Sequence, residues 1–294
     1  MTNFHKPVLL SEAIDGLKVK RNGKYIDATL GGGGHSFEIL RLGGVVLGID
    51  VDRDAIEYIE ENKKPENLTL AKGNFRDIDK IAPEHNFDKV AGIIFDLGVS
   101  SHQIDDPKRG FSFQNEGPLD MRMDEDLGVR ALDLIKILTK GELNEIFTKF
   151  GEETRAWTIS DAIVRARSIK PIETTTDLTQ VIEEGLRKKG LIFGDNRAGQ
   201  AKKVFQALRI AVNDELNAIS TALPKALELL EKNGRLCVIS FHSLEDRIVK
   251  RKFLEFEKGK MGEIITEKPI IPTDQEIERN ARARSGKLRI FEKN

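Results

Sequence analysis

One stretch of this chain limits its possible folds more than any other. Lys24 to Thr29 is a short β-prone run, Gly31 to Gly34 follows at once, and Ser36 to Leu42 has the pattern of a helix that Gly43-Gly44 stops. Val45 to Ile49 is then a continuous apolar run ending at Asp50. A strand with no polar alternation is buried on both faces, as in parallel sheets covered by helices. Asp54 to Glu61 reads as helix, Leu68 to Ala71 as strand, and Val90 to Phe95 as another buried strand ending at Asp96. This alternation predicts a doubly wound α/β sheet.

The rhythm breaks after residue 105. Leu132, Ile135 and Leu138, then Leu143, Ile146 and Phe150, Ile159, Ile163 and Ala166, and Leu178, Val181 and Leu186 all recur at helical spacing. The pattern predicts an all-helical insert over 106–203, carried by a domain made of 1–105 and 204–294. After it, Phe205 to Leu230 reads as one long helix, Asn233-Gly234 as a turn and Arg235 to Phe241 as a buried strand. A helix near Leu244 to Phe256 and strands at Glu263–Thr266 and Leu288–Phe291 close the chain. No apolar run reaches membrane-spanning length, and Met1 to Lys6 has no signal-peptide core, which predicts a cytoplasmic protein.

A glycine-rich turn from strand into helix brings the backbone close to a ligand and aims free N–H groups at it. Asp50, 23 residues after Asp27, stands where an acid accepts both hydroxyls of an adenosine ribose. A nucleoside-triphosphate site is excluded because no Lys-Ser/Thr pair closes the loop. A nicotinamide dinucleotide fits less well, since Ser36 stands where the third glycine belongs. A glycine cluster without a ligand stays open as a reading. Asp27, four residues before the first glycine, is more typical of methyltransferases, where such an acid shapes the pocket for a methionine moiety.

Two more strand ends carry polar clusters. Ile94 to Gln103 follows the fourth strand, at the edge where open α/β sheets bind ligands, although a plain strand-ending loop reads the same. After the fifth strand, Ser243 is expected to cap a helix with Asp246 at its third position, and His242 faces the site if the strand ends at Phe241. Cys237, the single cysteine, excludes an intramolecular disulfide and a cysteine-based zinc cluster, and no metal site is expected. Its mid-strand position marks a small buried hydrophobe. Methylation at a pyrimidine ring carbon would need a thiolate on an active-site loop, so an oxygen or nitrogen acceptor is favoured.

The net charge of −1 conceals segregation. Residues 1–100 carry 13 Lys/Arg against 16 Asp/Glu, residues 164–209 carry 10 against 5, and residues 279–294 carry 6 against 1. Arg279, Arg282, Arg284, Lys287 and Arg289 crowd the last stretch and predict a phosphate-contacting surface. The alternative is pairing with carboxylates of the catalytic domain.

Six further motifs occur in order: Asp96-Leu-Gly-Val-Ser-Ser, Arg109-Gly-Phe-Ser-Phe, Gly117-Pro-Leu-Asp-Met-Arg-Met-Asp124, Phe205 to Leu216, Ile239 to Arg247, and Arg282-Ala-Arg-Ser285. With His5-Lys-Pro-Val-Leu at the start, they resemble the MraW/RsmH family of bacterial small-subunit ribosomal RNA cytosine-N4 methyltransferases. The resemblance implies a Rossmann-like class I methyltransferase sheet with an inserted all-helical, substrate-recognising domain. It implies S-adenosyl-L-methionine as cofactor, with contacts at Gly33, Gly34, His35, Asp50, Phe75, Asp96 and Gln103. Small-subunit (16S) ribosomal RNA would be the partner, within an assembled or assembling subunit, with no membrane involved and a homodimer among the states open to the chain.

A group accepting from the amine N–H would be needed, and Asp96, Asp120 and His242 are the candidates, the last two more readily structural. The chain departs from the family at Gly199-Gln-Ala-Lys202, where His-Pro-Ala-Thr is usual, at Thr154–Thr158, where a basic run is usual, and at Ala281, where proline is usual. The cofactor motifs are untouched. An oxidoreductase on the same fold and a non-catalytic RNA-binding assembly factor are the rival functions.

Overall fold

The computed structural model describes residues 7–62, 64–191 and 197–294. His5 and Lys6 of the opening motif, with the rest of Met1–Lys6, lie outside the described residues. The chain divides into two compact units, one made of 1–100 and 216–294, the other of 101–215.

The first unit opens with α1 (Leu10–Leu17), β1 (Lys24–Asp27), α2 (Gly34–Arg41), β2 (Val45–Asp50), α3 (Arg53–Glu61), β3 (Leu68–Lys72), α4 (Ile78–Glu84) and β4 (Val90–Asp96). The second holds α5 (Ser101–Asp105), α6 (Ala131–Ile137), α7 (Lys140–Gly151), α8 (Ala156–Arg167), α9 (Thr175–Lys188) and α10 (Arg197–Asn213). The chain then runs through α11 (Glu215–Leu229), β5 (Leu230–Ser240), α12 (Ser243–Lys258), β6 (Gly262–Ile264), α13 (Asp274–Arg279) and β7 (Lys287–Lys293).

The strands form one sheet in the order β3-β2-β1-β4-β5-β7-β6. β1 to β5 are mutually parallel, while β7 runs antiparallel to β5 and β6 antiparallel to β7. Successive side chains alternate faces, so each strand feeds two cores. Ile26, Leu47, Ile93, Phe95, Leu236 and Val238 pack on one face. Tyr25, Val46, Ile94, Cys237 and Ile239 pack on the other. Order reverses between β1 and β4, and the crevice beyond the carboxyl ends of such a pair is where α/β sheets take ligands.

The helical unit has its own core, with Leu143, Phe147, Ile159, Ile163, Leu178 and Ile182 fully or almost fully buried. Val204, Phe205, Ala207, Leu208 and Val212 of α10 belong to that core. The unit therefore runs to 215, and it starts at 101, whereas apolar spacing suggested 203 and 106.

The single helix expected over Phe205–Leu230 is two. Asp214 adopts φ 51°, a left-handed conformation that Asp tolerates, and ends α10. Buried Asn213 fastens the break: its amide donates to the Met121 and Arg209 carbonyls (2.7 and 2.8 Å), and its oxygen accepts from Met123 N–H at 2.7 Å. Arg209 grips Glu215 with two bonds, at 2.8 and 2.9 Å. Apolar spacing continues across this break, which is why spacing alone does not reveal it. The Asn233-Gly234 turn survives as an irregularity inside β5, where register jumps from Val90↔Leu230 to Gly92↔Arg235.

Candidate functional site

The ends of β1, β2 and β4 place three carboxylates along one edge of the sheet. Asp27 is fully buried; it accepts the Ser36 hydroxyl at 2.7 Å and Thr29 N–H at 3.3 Å. Burial raises its carboxyl above the ordinary range, with His35 nearby opposing that shift. The Thr29 hydroxyl accepts Asp96 N–H at 2.6 Å and so links the β1 loop to the β4 tip. Asp50 accepts Gly31 N–H at 2.7 Å on one oxygen and Asp52 N–H at 2.9 Å on the other. Burial pushes Asp50 up to about 6 despite those two bonds. Each oxygen of a carboxylate has a second lone pair, so Asp50 can still accept from a ligand.

The glycine turn is shaped by its backbone. Gly33 has φ 74°, and a Cβ there would stand 2.9 Å from the Phe37 ring and 3.0 Å from Ile59. The Gly33 carbonyl accepts the Phe37 N–H that opens α2, and among the described residues no side chain caps that first turn. Gly34 is small for a different reason, since a Cβ would lie 2.7 Å from Pro7. His35 is buried, with Nε2 3.3 Å from the Val8 carbonyl and Nδ1 3.8 Å from Asp96 Oδ2. The loop after β3 is tied to β2 through Gly73 N–H donating to the Asp50 carbonyl at 2.8 Å. That bond brings Phe75 towards this edge, where its ring meets Phe95 edge-on at 5.5 Å.

Gly33, Gly34, His35, Asp50, Phe75 and Asp96 thus gather along one edge of the first unit. Gln103 is buried on α5 in the second unit. Asp120, also in the second unit, is held by Arg122 through two bonds, at 2.7 and 2.8 Å.

The cap expected at Ser243 falls one residue earlier. His242 is the N-cap of α12 and accepts Glu245 N–H on Nδ1 at 3.4 Å. Glu245, not Asp246, closes the box by accepting Phe241 and His242 N–H at 2.7 and 3.2 Å. β5 ends at Ser240, which shifts the helix start and frees Asp246 to bind the last strand.

Asp246 accounts for part of the basic tail. Buried Arg289 donates to it at 2.6 and 3.3 Å and so serves the fold rather than an open surface, and the half-exposed Lys287 Nζ lies 3.7 Å from it. Arg279, Arg282 and Arg284 are exposed. Cys237 is fully buried, and burial pushes its thiol up to about 12, far from any nucleophilic role.

Sequence reasoning missed Ser36, whose hydroxyl holds Asp27, and Thr29, which joins Asp27 through its N–H to Asp96 through its hydroxyl. The signal for Ser36 was its place where the third glycine belongs, since a hydroxyl in the first turn of α2 can reach back to the buried acid.

A family model described as the MraW methylase family matches residues 2–294. A protein of Halothermothrix orenii named Ribosomal RNA small subunit methyltransferase H is 44% identical over 312 residues, covering 98% of this chain and 98% of its own. A protein of the same name from Clostridium botulinum (strain Loch Maree / Type A3) is 45% identical over 309 residues, again covering 98% of each chain.

Proposed function

The chain belongs to the MraW methylase family, and from that premise we propose that it methylates the exocyclic N4 amine of a cytosine in small-subunit ribosomal RNA. The coarser statement, an S-adenosylmethionine-dependent methyltransferase of small-subunit ribosomal RNA, follows from membership and from full-length relatives of that name. The observation that carries the cofactor reading is the row of carboxylates Asp27, Asp50 and Asp96 beside an uncapped helix start. S-adenosylmethionine brings a sulfonium and an ammonium that suit such a row, a ribose diol that suits Asp50, and a carboxylate that suits the N–H groups at the start of α2. No helix among the described residues is long and apolar enough to cross a membrane.

When bound, the cofactor supplies an electrophilic methyl group. The chain's own task is to place an amine in line with it and to exclude water. The amine is a weak nucleophile because its lone pair is delocalised into the pyrimidine ring. Asp96, at the tip of β4, is the residue we assign to accept from the amine N–H and localise that pair. In this reading Asp120 and His242 are structural, since the Arg122 pair and the α12 cap occupy them. A stacked base must be turned out to reach a site at the sheet edge, and the helical unit is assigned to grip the surrounding RNA in an assembled or assembling subunit.

Nucleoside mass spectrometry of ribosomal RNA from cells with and without the gene tests this. Loss of N4-methylcytidine from the small subunit is expected. An unchanged N4-methylcytidine level, with another methylated nucleoside lost, would replace the target while leaving the cofactor reading intact.

A further inference from the structure

α8 has two unlike sides. Ala156, Ile159, Ser160 and Ile163 are buried. Trp157, Asp161 and Arg165, spaced by four, share another stripe of the helix. Trp157 is the only tryptophan in the chain, and the residue is 58% exposed.

Lys140, at the start of α7, holds its ammonium 4.1 Å from the centre of the indole ring and 2.7 Å from Asp161 Oδ1. Arg165 reaches Asp161 Oδ2 at 3.0 Å. These cations, the Lys140 hydrogen bond foremost and Lys189 also acting, hold the Asp161 carboxyl below its usual range. One carboxylate therefore holds two cations, and one of them, Lys140, lies over one face of an exposed aromatic ring. Core packing of the helical unit does not need that ring.

We propose that Trp157, Lys140 and Arg165 form a platform for unpaired RNA, with the indole stacking on a base and the two cations meeting the flanking phosphates. This rests on the reading of the chain as an RNA methyltransferase and deepens it. An aromatic face among cations complements the alternation of base and phosphate in a single strand. A protein partner pressing an apolar patch there would have to strip water from Lys140, Asp161 and Arg165 together, which is costly. A duplex hides its base faces and would meet only the cations.

The sole tryptophan makes the platform directly observable. A short labelled oligocytidylate, single-stranded or paired in a duplex, is titrated into the full chain, with RNA anisotropy and tryptophan emission recorded together. We expect the single strand to quench emission with the same midpoint as the anisotropy change, and the duplex to bind without quenching. Trp157→Ala should weaken single-strand binding about tenfold to a hundredfold, and Trp157→Phe should restore part of the loss. Lys140→Gln with Arg165→Gln should flatten the log–log salt slope by about 1.4. Melting temperature and S-adenosylmethionine affinity of Trp157→Ala should not move.

Saturating anisotropy with silent emission, or unchanged affinity in Trp157→Ala, overturns the platform. So does an emission shift that follows protein concentration without RNA, which would assign the ring to contact between copies. Methyl transfer to small subunits from cells lacking the gene separates the two readings. Transfer with a silent Trp157 sinks the platform alone, whereas quenching without transfer keeps the platform and sinks the enzyme.

Discussion

The carboxylates at the sheet edge and the ion pairs of the helical unit are fastened in different ways. In the α/β unit, Asp27 holds a main-chain N–H of its own strand-end loop, Asp50 holds one of its own loop and one of the loop after β1, and Asp96 offers its own N–H to Thr29. In the helical unit, three ion pairs join side chain to side chain, Asp120 with Arg122, Lys140 with Asp161 and Arg209 with Glu215, while Asn213 and Arg122 also hold main-chain groups. A backbone-held carboxylate is fixed by strand register, so its chemistry travels with motif spacing. A pair of surface side chains can be rebuilt elsewhere on a helix without disturbing the core. The contacts we propose for the cofactor are therefore held mostly in the first unit, and contacts particular to this chain are freer to vary in the second.

The sharpest way to break this contrast is to remove one side of it. Replacing residues 106–213 with a short glycine-serine linker should abolish RNA methylation while S-adenosylmethionine binding stays measurable by calorimetry. If the truncated protein fails to fold, the helices are part of the catalytic core and the contrast is false.

A gentler perturbation of the same side is Phe147→Ala. Phe147 is fully buried in the helical core, and its truncation should cost that unit about 3–5 kcal/mol. Hydrogen exchange should show the loss confined to residues 101–215, with cofactor affinity unchanged. Loss of protection throughout the sheet would merge the two units into one cooperative body.

On the other side, Asp50→Ala removes an acceptor for the ribose hydroxyls, worth roughly 1.5–3 kcal/mol for a hydrogen bond to a charged group. Calorimetric affinity for S-adenosylmethionine should fall at least tenfold while RNA binding by the helical unit persists. The pH dependence sharpens this further. Burial pushes Asp50 up to about 6, and the ionised form is the acceptor, so cofactor affinity should rise with pH through that value.

Stability should run the opposite way. The folded value lies above the unfolded one of about 3.9, so the native state keeps its proton longer. The stabilisation is complete below about 4 and is lost as pH rises towards 6. Asp50→Asn should remove both trends; an affinity profile left unchanged by it would assign the titration to another group.

The same contrast explains what could be read in advance. Strand ends at Asp50 and Asp96 and the turn at Gly31–Gly34 were legible because continuous apolar runs stop there and only glycine suits Gly33. The break at Asp214 was not legible, because a single left-handed residue leaves apolar spacing intact on both sides. The α12 cap was misplaced by one residue because Ser243 and His242 both suit a cap, and only the end of β5 at Ser240 decides between them. Nor could sequence divide the basic tail, since the fate of Arg289 depends on Asp246, 43 residues away.

That division of the tail gives the smallest predicted effect. Arg289 is buried against Asp246, so Arg289→Gln should lower the melting temperature by breaking a buried pair, and the RNA salt slope should hardly change. Arg282 and Arg284 are exposed on the turn before β7, and we assign them to RNA phosphates. Neutralising both should flatten the log–log salt dependence of RNA affinity by up to about two units, less on a single strand, with stability and cofactor affinity unmoved. If the double variant melts several degrees lower at an unchanged slope, these arginines too are structural. Phosphate contacts would then fall to the helical unit alone, and the contrast between an anchoring unit and a gripping unit would become stricter.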